Sequence, residues 1–141
     1  MNTIGNIISM IVGVLGGVLS YFLGGFDQIS KVLIYLTVID YVSGVIAAFY
    51  NKDISSKIGF KGILKKITMF LVVGVAVLLE RYLAIPTIRE IVIMFFVGNE
   101  GISILENVAE TGLKIPEKLK NAILQINEKE TEEKTENESN D

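Results

Sequence analysis

Apolar residues gather into four runs, at about residues 4–25, 32–50, 67–85 and 90–110, each close to the length of a bilayer crossing. A helix needs about 20 such residues to traverse the hydrocarbon, so the pattern predicts an all-α integral membrane protein of three to four transmembrane helices, with four favoured. The first run has no charged side chain through residue 26. It reads as a retained helix, because a signal peptide would carry a basic leader and a small-residue cleavage site ahead of a polar domain. Pro86, with Arg89 and Glu90 beyond it, marks the turn between the third and fourth runs.

The fourth run changes character halfway. In VGNEGISILENVAETGLKIPEKL (97–119), Asn99, Ser103, Glu106 and Glu110 recur at spacings of four, three and four, which stacks them on one helix face. Glu100 and Asn107 flank that stripe, while Ile102, Leu105 and Ala109 lie opposite. Gly112 and then Pro116 should end the helix. Such a stripe suits a helix emerging at the membrane surface and equally one facing a wet interior. In the three-span alternative, this last helix lies in the interface.

Charge sets the expected orientation. Residues 51–66 hold Lys52, Lys57, Lys61, Lys65 and Lys66 against one aspartate, and short Lys-rich loops stay in the cytoplasm. Both ends of the chain are then cytoplasmic, with Lys31, Arg81 and Arg89 outside and Lys114, Lys118 and Lys120 inside. A membrane domain over 1–112 is followed by a short amphipathic cytoplasmic segment, 113–127. The acidic tail, 128–141, has seven acids against two lysines and is expected to be disordered. Mean hydropathy is +0.51, high for a soluble domain. The chain contains no His, Cys or Trp, so Ser/His and Cys/His catalysis and thiolate metal sites are excluded. No cofactor and no nucleic-acid partner are expected, since the basic residues flank apolar runs without forming a patch.

Within the spans, polar residues stand out. Asp40 sits mid-span, where a carboxylate costs roughly 2.5–3.5 kcal/mol, so it should face protein or water and pair with a group such as Lys66, Glu80 or Arg81. Structural bonding between helices and the lining of a permeation path are both open to it. Glu80 and Arg81 point about 100° apart and should snorkel to water individually. In the first run Gly5, Ser9, Gly13 and Gly17 form one small-residue ridge, with Gly16, Ser20 and Gly24 beside it. Ridges of this spacing let helices approach closely in lipid. Met10 is a conceivable second start.

Three segments carry a resemblance to a known family: IDYVSGVIAAF with Asp40 and Gly44, SSKIGFKGILKK with Lys65 and Lys66, and NEGISILENVAETGLKIPEKL. The chain resembles the phage lysis and toxin-secretion holins, a group that includes holin-like proteins of clostridial toxin loci. The resemblance implies a non-enzymatic protein of the bacterial cytoplasmic membrane that forms homo-oligomers and permeabilises the bilayer. It would thereby release a cell-wall hydrolase or a large toxin, with an antiholin as a further partner. Asp40, Asn99, Glu100, Ser103, Glu106 and Asn107 are candidates for a pore-facing surface, and Gly5, Ser9, Gly13, Gly17 and Gly44 for helix packing. An antiholin-type regulator, or a small ion channel or transporter subunit, are the alternative functions.

Overall fold

The computed structural model describes the backbone of residues 2–138, and side chains of residues 2–126 and 128. It consists of five helices: α1 (Thr3–Leu23), α2 (Gln28–Tyr50), α3 (Ser56–Leu83), α4 (Ile88–Glu110) and α5 (Glu117–Glu138). The first four are long and apolar enough to cross a membrane. No strand occurs among the described residues.

Local chemistry sets the helix ends. Gly24 adopts a left-handed φ of 73° and Gly25 a φ of 112°, and their amides close back on Tyr21 and Ser20 carbonyls, which stops α1 at a turn only glycine makes without strain. Asp27 then caps α2, its Oδ1 accepting from the Ser30 amide at 3.1 Å. Pro86 falls in the short α3–α4 connection, as expected from its missing amide. Gly112, at φ 76°, follows the end of α4, and the Pro116 carbonyl accepts the Leu119 and Lys120 amides as α5 begins.

Two boundaries differ from the sequence expectation. The lysine-rich stretch expected as a loop is mostly helical, since α3 starts at Ser56. Hydropathy marks where lipid begins, whereas Lys is a good helix former and lets the helix start earlier. The acidic tail expected to be disordered is helical in backbone through Glu138, consistent with its richness in Glu and Lys; residues 139–141 lie outside the described residues.

The helices are not packed in chain order. α2 lies mainly against α4, which also contacts α3 and α5, while α2 and α3 touch little. Leu23, Leu33, Met69, Val73, Ile93 and Val97 form the buried cluster where α1 to α4 meet. In lipid this cluster coheres through close packing, because burial from water no longer drives it. α1 joins only by its last turns: the Phe22 ring occupies the space that a Cβ on Gly74 would need, and Arg81 stacks over the Tyr21 ring at 4.3 Å. The remainder of α1 is exposed, and a Cβ at Gly13, Gly16 or Gly17 would meet open space.

Candidate functional site

Polar side chains from the middle of three helices converge. Asp40 is the thirteenth residue of α2 and Glu100 the thirteenth of α4. Lys66 of α3 reaches both, its Nζ lying 2.6 Å from Asp40 Oδ2 and 2.6 Å from Glu100 Oε2. All three side chains are between 11% and 15% exposed, so one ammonium braces two carboxylates away from lipid. Two turns further along α4, Asn107 Nδ2 donates to Asp40 Oδ1 and to Ser43 Oγ, each at 3.0 Å, and Asn51 Nδ2 donates to Glu110 at 3.1 Å. Gly44 faces Asn107, and a Cβ there would stand in ordinary contact, 3.5 Å from its Nδ2.

Beside this network a cavity of about 950 Å³ opens where α2 and α3 diverge over α4. Asn99, Ser103 and Glu106 line it together with Asp40, Glu100, Asn107 and Lys66. The stripe read from the sequence on α4 therefore faces α2 and α3. Of the lysines expected to set topology, Lys65 and Lys66 border the cavity, Lys57 and Lys61 are exposed on the first turns of α3, and Lys52 stands in the α2–α3 turn. Among the described residues, no group of three or more carboxylates is placed to hold a metal ion.

A second network, at the opposite end of the bundle, was not singled out in the sequence. Arg89, 7% exposed, donates through Nε to the Leu23 carbonyl. Its two terminal nitrogens reach Asp27 at 2.7 and 2.9 Å, and Nη2 also donates to Ser30 Oγ at 2.7 Å. Its backbone amide donates to Glu80 at 3.0 Å. The guanidinium fork holds the Asp27 carboxyl well below the usual carboxylate range. In sequence, Arg89 looked like a turn residue. A lone arginine after a proline carries no signal of a partner 62 positions away. Glu80 and Arg81, expected to reach water separately, each find a separate protein partner, Arg89 and Tyr21.

This arrangement of apolar helices around a charged interior fits a membrane protein. The bacteriophage holin family model matches residues 17–128, which spans α2 to α4, the last third of α1 and the first half of α5. The chain belongs to the bacteriophage holin family. Among its relatives, an uncharacterized protein of Listeria innocua is 44% identical over 125 residues, covering 86% of this chain and 89% of its own. An uncharacterized 14.9 kDa protein of the nagH 3′ region of Clostridium perfringens is 42% identical, over 82% of this chain and 89% of its own. A probable holin of Bacillus phage phi105 is 32% identical, with 83% and 86% covered. No solved structure matches the chain. The matched region of this holin-family protein includes every residue of both polar networks.

Proposed function

We propose that this holin-family chain assembles with copies of itself in the bacterial cytoplasmic membrane and permeabilises it, so that a cell-wall hydrolase or a large toxin can leave the cell. The observation that carries the proposal is the family match over α2 to α4 and the end of α1, in a chain with four helices long and apolar enough to cross a membrane. The charged network inside them is consistent with it, because a bundle of this kind is a costly design for an inert anchor. In this reading the Asp40–Lys66–Glu100 cluster braces α2, α3 and α4, and the cavity beside it is a vestibule on the cytoplasmic side, where both chain ends also lie. The Gly5–Ser9–Gly13–Gly17 ridge of α1, open at Gly13 and Gly17 among the described residues, supplies a contact between copies.

Inducible expression in bacteria tests this, with entry of a membrane-impermeant dye and optical density followed over time. Dye entry and a fall in density are expected. Continued growth with intact membranes at high expression would refute the proposal. Delay of lysis by a co-expressed holin would reassign the chain to an antiholin.

A further inference from the structure

The position of α5 is at odds with a bilayer around a single copy. α5 turns back along α4 after Gly112, and its Ile123 lies against Gly101, where a Cβ would come within 3.0 Å of Ile123 Cγ2. Gly101 is buried, nine residues inside the end of α4 at Glu110. At 1.5 Å per residue that is about 13 Å into the span, well within a hydrocarbon core of about 30 Å.

The outward face of α5 at this depth is polar. Lys118, Asn121, Gln125 and Glu128 follow spacings of three, four and three, all are exposed, and at 100° per residue they point to the side opposite Ile123. Charged and amide side chains do not remain against acyl chains when water is within reach. The outward faces of α1 and α2 differ, with Ile4 and Val42 at least half exposed, and on α3 Val75 is exposed while Lys65, the charged residue exposed near this depth, borders the cavity. The polar groups of α2, α3 and α4 satisfy one another internally. The docked α5 is thus a continuous polar outer stripe at membrane depth, on the face of α4 away from the cavity.

We infer that α5 stays docked on α4 in the assembled protein and borders the water-filled side of the lesion, with Lys118, Asn121 and Gln125 turned to the lumen. The inference rests on the permeabilising function proposed above. It moves the wet surface from the α4 stripe, which is used within the bundle, to the helix that covers the opposite face of α4.

The chain has no cysteine among its residues, so single thiols report cleanly. The full-length Gly101→Cys/Ile123→Cys variant, reconstituted into dye-loaded phospholipid vesicles, fixes α5 to α4 by a disulfide on oxidation. Flux is expected to survive oxidation, with the reduced form of the same sample showing that the variant folds. In separate samples, Asn121→Cys and Gln125→Cys are reacted with a bulky maleimide after assembly. Dye flux should be lost on labelling, whereas labelling Val75→Cys on the apolar face should leave it unchanged. Loss of flux on locking α5, or undiminished flux after labelling at 121 and 125, would overturn the assignment of α5 to the lumen. Absence of flux from the unsubstituted chain would instead remove the permeabilising reading, and the α5 assignment with it.

Discussion

Lys66 holds two carboxylates with one ammonium, and the asymmetry decides how substitutions behave. Removing one partner from a buried ionic group typically costs about 3–5 kcal/mol, because the remaining charge is stranded. Lys66→Met should therefore lower the thermal unfolding midpoint of detergent-solubilised protein sharply, since it strands both Asp40 and Glu100. The triple variant Lys66→Met/Asp40→Asn/Glu100→Gln should regain most of that loss. A triple variant as unstable as the single one would deny the cluster its bracing part. The Arg89 clamp gives a separate prediction. Asp27 has its folded carboxyl depressed by Arg89, so its contribution is full above the unfolded value of about 3.9. That contribution is lost as pH falls below about 4, toward the folded value. Unfolding midpoints measured between neutral pH and the acid limit should fall less for Asp27→Asn than for the native chain in this window. Arg89→Lys should also weaken the clamp, since an ammonium cannot reproduce the two-pronged contact. Sequence showed that Asp40 needed a partner and that Lys66 was one candidate; it did not show which, because the choice depends on helix neighbours. Arg89 and Asp27 were illegible as a pair for the same reason.

The four apolar elements were legible at the level of helices, because spans in lipid must satisfy their backbone internally and be long enough to cross. Their edges were less so, as α3 shows by running a helix through lysines that hydropathy treats as loop. If those lysines fix orientation, replacing Lys57, Lys61 and Lys65 with Gln, and sparing Lys66 for its structural contacts, should yield mixed orientations by tag accessibility on the two sides. A single unchanged orientation would show that they do not set topology. α1 supplies the other element-level prediction. Gly74 leaves the space that the Phe22 ring fills, so Gly74→Val should pry α1 from α3 and destabilise the bundle. Phe22→Ala in the same chain should relieve the clash, and unfolding in detergent measures both. The ridge on α1 was visible in sequence as a packing surface. That open space surrounds Gly13, Gly16 and Gly17 among the described residues came only from the structure.

At the scale of the whole molecule, α4 holds the protein together: it meets α2, α3 and α5, while α2 and α3 barely meet each other. Every side-chain bond that ties Lys66, Asp40 and Ser43 to the final span ends on Glu100 or Asn107, and the clamp at the other end ends on Arg89. The order of synthesis turns this into a delay. Lys66 and Glu100 are 34 positions apart, so at translation rates of about 5–20 residues per second the ribosome needs roughly 2–7 s to supply the second carboxylate after the lysine has been made. Until α4 enters the membrane, a nascent chain has three spans, an Asp40–Lys66 pair without its Glu100 and Asn107 partners, and an unclamped α1. Cross-linking of arrested nascent chains should accordingly find α2 and α3 loosely associated, and compact only once α4 has left the ribosome.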